Sequence, residues 1–489
     1  MQGFTDVISA IDDFVWSMWL LIPLLFVTGL VLTIRLGGVQ FTKLFPALRL
    51  GLLKRRDPGA AGDISQYQAL TTALAATVGT GNIVGVATAI GIGGPGALFW
   101  MWVTGLLGMA SKYAEAFLGS KYRETDARGE VVGGPQVYLQ KAISGPVGKA
   151  LALLFAVFGA FAAFGIGNGT QVRSMVDSMD AAFGVHPLAT GVIIMILVGL
   201  TLIGGIKSIG RVTAGFVPTM IVIYIVAGLV VLALNVQAIP DAFVSVFRDA
   251  FLGSDKVGNF LGAGIGVAIQ KGMARGIFSN ESGMGSAAIV AAAAQTSHPV
   301  RQGLVSMTQT FIDTIIVVSF TGFVILTTGV WTNAPLDDAG DRLNGQLTQE
   351  AFADSLGAGL GPKIVAVCVV FFALSTVIGW SYYGERCAVR LFGIGAQMPY
   401  RVVFTALIVI WAAFPAETIW MIADILNGLM ALPNLIGLLI LSGMIARETK
   451  AYLAKDPDLT KNDVELFPLQ AISFAGGKIG WVSAPERVS

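Results

Sequence analysis

The sequence predicts an all-α membrane protein of about eleven transmembrane helices, and three observations carry that expectation. First, 55% of the 489 residues are hydrophobic and only 12% are charged, where a soluble chain carries roughly a quarter. Mean hydropathy is +0.75, so most of the folded surface must be apolar, and a bilayer is the solvent that tolerates this. Second, apolar runs of spanning length recur along the whole chain. Third, there are 61 glycines, as expected where close helix contacts in lipid depend on small residues. The net charge of +1 gives no pull toward nucleic acid.

The runs fall near 14–36, 66–92, 96–120, 147–176, 188–205, 212–235, 258–293, 302–330, 362–386, 402–415 and 418–446. The first is read as a retained helix, because Asp6, Asp12 and Asp13 precede it where a signal peptide would be basic. Residues 40–56 are basic and amphipathic, which suggests a helix lying on a leaflet. The chain thus divides into a leading unit 1–65, a five-helix half 66–240, a second half 241–446 and a polar tail 447–489, read as regulatory or disordered. Lys43, Arg49, Lys54, Arg55, Arg56, Lys121, Arg123, Arg128, Lys207, Arg211, Arg301, Arg390, Arg401 and Arg447 fall in alternate connectors. Asp337, Asp338, Asp341, Glu350 and Asp354 fall on the other side. That places the N-terminus outside and the C-terminus in the cytoplasm.

Two of the spans should not be continuous. In 66–92 the run Val78-Gly79-Thr80-Gly81-Asn82 interrupts an apolar helix near its middle. Each Gly weakens a helix by about 1 kcal/mol relative to Ala. Freed backbone at bilayer depth must line a cavity or bind something. In 258–293 a second weak point combines Gly272 and Gly276 with Ser279-Asn280-Glu281-Ser282-Gly283. With 14–36 set aside, these are the first and sixth of ten helices, the pattern of an inverted-repeat transporter. Half-helix N-termini there face a carboxylate, and half-helix C-termini face a cation or an ammonium. Close helix packing through a Gly81-x-x-x-Gly85 face is the alternative for one helix.

These residues also carry a resemblance. The stretch ALAATVGTGNIVGVATAIGIGGPGALFWMW from Ala73 to Trp102 resembles the alanine or glycine:cation symporter family, with GGPGALFWMW (Gly93 to Trp102) matching its signature. GMARGIFSNESGMGSA from Gly272 to Ala287 and the region of Ser375-Thr376 and Trp380 are equally characteristic. Gly105 departs slightly, since another small residue is usual there. The resemblance spans about residues 14–446. It implies the leucine-transporter fold, a five-plus-five inverted repeat with one extra N-terminal helix, in a bacterial or archaeal cytoplasmic membrane. It also implies Na⁺-coupled import of small neutral amino acids such as alanine and glycine, Na⁺ being the coupling ion and no cofactor being needed.

Residue by residue, the Thr80 and Gly81 N–H groups would meet the substrate carboxylate, and Asn82 would offer an oxygen to the amine or a cation. The family pattern suggests the carbonyls of Ala75 and Val78 and the hydroxyls of Ser375 and Thr376 for Na⁺, a hard cation that favours oxygen. Phe164, Asn168 and Gln171 fall on one helical face. Gln171 suits the substrate ammonium or an interhelical hydrogen bond, and Phe164 suits packing more than a pocket wall. Trp380, four residues after Thr376, would roof a small pocket or sit at an interface. Gly276, Ile277, Phe278 and Ser279 are read as break residues facing substrate. Lys271, Arg275, Glu281, Asp313 and Asp424 lie at membrane depth, where ions should pair or line water.

Other classes fit less well. Gly91-x-Gly93-x-x-Gly96 has dinucleotide spacing but ends a membrane helix, and no Walker-type loop is present, so ATP is not expected to drive the protein. Cys368, Cys387, His186 and His298 are not placed for a catalytic or metal cluster, so no enzyme is expected. Proton coupling and passive facilitated passage remain alternatives to sodium symport.

Overall fold

A computed structural model describes residues 2–254, 261–332, 346–413, 416–473 and 480–483. Most of this is helix. Among the described residues, six helices are long and apolar enough to cross a membrane, and seven if the bent pair Gln66–Thr77 and Thr80–Gly93 forms one span. Leu21–Arg35 and Pro187–Ile203 are shorter apolar helices. The outer faces are oily: Val222, Val226 and Val230 of Gly205–Leu234 form an exposed stripe at intervals of four, which suits lipid. Charges and amides turn inward, with Lys112, Glu115, Arg301 and Asp313 fully buried.

Several expected spans are adjusted by local chemistry. The first is split: Gln2–Val15 ends before Leu21–Arg35 begins. The indole of Trp16, in the gap, donates to the Asp424 carbonyl at 3.1 Å. The span 147–176 runs from Pro146 to Phe183, widened into a π-helix at Gly165–Gly169. The span near 418–446 continues to Lys455. The basic segment 40–56 forms three short turns, Val39–Thr42, Leu44–Leu48 and Arg49–Lys54. Asp337, Asp338, Asp341 and the start of the 258–293 span lie outside the described residues.

The second break lies later than expected. Leu261–Asn280 is helical through Gly272, Gly276, Ile277, Phe278 and Ser279, and the chain leaves it only at 281–285. Gly272 and Gly276 are contact glycines: a Cβ on either would collide with Ala97 or Thr104 of Gly96–Lys121. The break itself needs left-handed backbone at Glu281 (φ 55°), Gly283 (φ 90°) and Gly285 (φ 82°), which glycine adopts freely.

The two broken helices meet at the end bearing the basic loops. Strand Ile64–Ser65, just before the first, pairs in parallel with Ala294–Gln295, just after the second. Ser65 then caps Gln66–Thr77, its hydroxyl accepting from Gln68 N while Gln68 Oε1 accepts from Ser65 N. Of the two readings of the tail, regulatory or disordered, the described part departs from the second, because it does not trail free. Lys43, Lys54, Lys121 and Arg301 donate to carbonyls of Pro457, Leu459, Pro468 and Leu459 at 2.9–3.1 Å. Arg301 also grips Asp57 at 2.7 and 2.9 Å, so the tail straps this end together.

Candidate functional site

The first break is built by backbone groups that exchange helix partners for side chains. Val78 (ψ 84°) and Gly79 (φ −132°, ψ −150°) leave the helix, a 3-10 turn follows at Thr80–Asn82, and the two halves meet at 63°. In a continuous helix the Gly79 N–H would serve the Ala75 carbonyl. Instead it donates to Asn82 Oδ1 at 2.9 Å. The Thr80 N–H donates to Gln171 Oε1 at 3.1 Å, and Gln171 Nε2 donates to the Ile166 carbonyl in the π stretch at 3.1 Å. Thr80 Oγ1 is buried without a partner.

The released Ala75 carbonyl becomes the centre of an oxygen cluster. Ser375 Oγ and Thr376 Oγ1 lie 3.2 and 3.1 Å from it. Each hydroxyl has a single proton, and the Phe372 carbonyl can accept both, at 2.7 and 3.1 Å. That frees hydroxyl lone pairs for a hard cation beside Ala75 O. Gly79 packs so tightly on Thr376 that a Cβ there would collide with its hydroxyl. Val78, the remaining expected ligand, is buried at the end of the same half-helix.

Asn82 ties the first break to the rest of the core. Its Nδ2 donates to Asp313 Oδ1 at 2.8 Å, and Asp313 Oδ2 accepts from Ser279 Oγ and Thr314 Oγ1, both at 2.9 Å. A Cβ on Gly81 would meet Ser279 Cα at 3.0 Å and Phe278 Cδ1 at 3.1 Å. Thr80, Gly81, Asn82, Gln171, Phe278, Ser279, Ser375 and Thr376 therefore converge. Gly276 and Ile277 do not join them: Gly276 faces Thr104, and Ile277 lines a crevice with Leu25, Phe26 and Thr104. Phe164 lies tilted against Tyr400, ring centroids 4.9 Å apart, and Asn168 donates to the Phe404 carbonyl at 2.7 Å. That side of the face packs on a neighbouring helix.

Trp380 reaches the second break. It is fully buried, its side chain abuts Gly167, and its indole N–H donates to Glu281 Oε1 at 2.6 Å. The strained loop 281–285 is held further by residues that sequence reasoning did not single out. Lys112 Nζ donates to the Glu281 carbonyl at 2.8 Å. Glu115 Oε1 accepts from Gly285 N at 3.0 Å and Asn434 Nδ2 at 2.9 Å, and Asn434 also holds the Gly283 carbonyl at 2.8 Å. The available signal was an ionisable Lys–Glu pair inside an apolar helix. Farther along, Arg275 pairs with Asp424 at 3.0 Å over the rings of Phe278 and Trp420.

Comparison with known proteins identifies the family. A family model described as the sodium:alanine symporter family matches residues 1–465. The sodium/alanine symporter AgcS of Methanococcus maripaludis is 50% identical over 92% of this chain and 98% of its own length. A probable sodium/glutamine symporter, GlnT of Bacillus subtilis, is 32% identical over 96% and 97%. In structure the chain is similar to MhsT, solved with L-phenylalanine, at a TM-score of 0.56 and 14% identity. The match covers 80% of this chain and 99% of that one; at that identity it shows the leucine-transporter fold alone. The protein is a multi-pass membrane transporter, not an enzyme, and it belongs to the sodium:alanine symporter family.

Proposed function

We propose that the chain is a Na⁺-driven symporter that imports small neutral amino acids, alanine and glycine foremost, by alternating access. The observation that carries this reading is the pair of groups withdrawn from helix pairing at one break: the Thr80 N–H, given to Gln171, and the Ala75 carbonyl, given to Ser375 and Thr376. A substrate carboxylate takes the place of Gln171 Oε1 on Thr80 N–H, with Gly81 N–H beside it. The freed Oε1 then turns to the ammonium. Na⁺ takes the oxygens of Ala75, Val78, Ser375 and Thr376. Phe278 and Trp380 bound the space and favour small side chains.

The same reading covers the architecture: a leading segment 1–65, five-helix halves 66–240 and 241–446 related as inverted repeats, about eleven spans in all, and a tail 447–489. The basic loops place the strapped end in the cytoplasm and the N-terminus outside, in a bacterial or archaeal inner membrane. The pairing of Ile64 with Ala294 supports opposite orientations of the two broken helices, since it joins the start of the first to the end of the second.

Uptake of labelled alanine into proteoliposomes tests the proposal. An inward Na⁺ gradient should drive accumulation above the external concentration. Equal uptake with and without the gradient would instead mean passive passage. One observation favours a second reading, proton coupling: the Asp313 carboxylate is wholly buried and bonded to both broken helices through Asn82 and Ser279. Accumulation driven by a pH gradient alone would establish that reading.

A further inference from the structure

Asn427, in the helix Ala416–Lys455, is 1% exposed, yet neither its Oδ1 nor its Nδ2 has a partner. Among the described residues it is the only buried side-chain amide with both polar atoms unpaired. Leaving such a group unsatisfied costs about 1–3 kcal/mol, and an apolar residue of similar shape would avoid that cost. The position therefore calls for a partner from outside the chain.

The contacts of the helix fix where this amide points. At 100° per residue, Asn427 lies about 20° from Asn434 and about 40° from Ala423. Asn434 holds the Gly283 carbonyl of the second break. Ala423 packs against Gly165 of the π stretch, its Cα 3.0 Å from a Cβ built there. Asn427 thus faces the seam between the π stretch and the second break, the seam that Trp380 closes from its other side by abutting Gly167 and bonding Glu281.

With the zwitterionic end of the ligand at the first break, as proposed above, the seam is left for the other end. We infer that Asn427 is a specificity-determining residue: its amide hydrogen-bonds the side chain of a transported amino acid that carries a hydrogen-bonding group, so beside alanine and glycine the seam admits neutral substrates of that kind, serine being the smallest. This inference rests on the amino acid symport proposed above.

The test is binding of L-alanine and L-serine to the purified full-length protein in saturating Na⁺, for wild type, Asn427→Leu and Asn427→Thr. In Asn427→Leu, serine affinity should fall about tenfold relative to alanine, alanine staying within about threefold of wild type, as for loss of one hydrogen bond. Asn427→Thr, which keeps a donor and an acceptor, should fall between. A serine-to-alanine ratio equal to wild type in both variants would overturn the inference, leaving the amide to ordered water. Where Asn427→Leu does not fold, the ratio in Asn427→Thr decides: reduced, it supports the inference; unchanged, it overturns it. Wild-type protein that binds neither amino acid overturns the symport reading itself, and this inference with it.

Discussion

Replacing Asn82 by Ala probes the first break most directly. The side chain does two jobs at once: Oδ1 accepts the Gly79 N–H, and Nδ2 donates to Asp313. Truncation leaves a buried N–H without an acceptor, worth about 1–3 kcal/mol, and removes a hydrogen bond to a carboxylate, worth about 1.5–3 kcal/mol. Asp313 keeps Ser279 and Thr314, and water refilling the gap offsets part of the loss, so a net penalty of about 2–3 kcal/mol is expected. If the break is what holds substrate, most of that penalty appears as lost preorganisation, and alanine binding weakens by about thirtyfold or more. The assay is calorimetric titration of alanine into purified protein with and without Na⁺, alongside thermal unfolding. Wild-type affinity in a folded Asn82→Ala protein would refute the reasoning.

Two further outcomes follow from the same geometry. Gly79→Ala places a methyl against Thr376 Oγ1 and 3.0 Å from Gln171 Oε1, so Na⁺ dependence of alanine binding should be lost or its half-saturating Na⁺ raised at least about tenfold; an unchanged Na⁺ titration counts against the oxygen cluster. At the strapped end, burial and then the charges of Lys121, Arg301 and Lys455 push His298 down to about 4, while its Nδ1 accepts the Val300 N–H that starts the next helix. The unfolded chain therefore binds more protons between about pH 6.5 and 4, and stability should decline as pH falls through that window, by at most about 3 kcal/mol. His298→Asn keeps a cap acceptor and should flatten that part of the thermal-stability profile; an identical slope in both proteins excludes His298 as its source.

The first break was legible because its cause is local. Two glycines around a threonine and an asparagine in an apolar run weaken the helix whatever surrounds it. The second was displaced because glycine has two uses. Gly272 and Gly276 read as weak points, yet they admit the backbone of Gly96–Lys121, and only that neighbour distinguishes contact from interruption. Gln171 was picked out as a membrane-depth amide, but its target, the Thr80 N–H, lies 91 positions away, and sequence spacing carries no trace of such a pairing. Lys112 and Glu115 were visible as charges inside an apolar span, and their destination, the loop 281–285, was not. The tail misled for a related reason. Its own side chains are polar, but several of its anchors are main-chain carbonyls taken by Lys43, Lys54 and Arg301, and every residue has a carbonyl.

The two groups freed at the first break also bear on how ion and solute are linked. Ala75 O and Thr80 N–H lie five residues apart on either side of one hinge, each already satisfied by a side chain from another helix. In the proposed symport, exchanging Gln171 for a carboxylate, or the Ser375 and Thr376 protons for Na⁺, would keep both peptide groups partnered, and binding would not have to overcome an orphaned peptide group. On that proposal either exchange would strengthen contacts across the same 63° bend, and whichever ligand arrives first would order the hinge for the second. Coupling of this kind is reciprocal: the factor by which saturating Na⁺ tightens alanine must equal the factor by which saturating alanine tightens Na⁺. Gln171→Ala should shrink both factors together, because it removes the substrate side of the exchange while leaving Ala75, Ser375 and Thr376 in place.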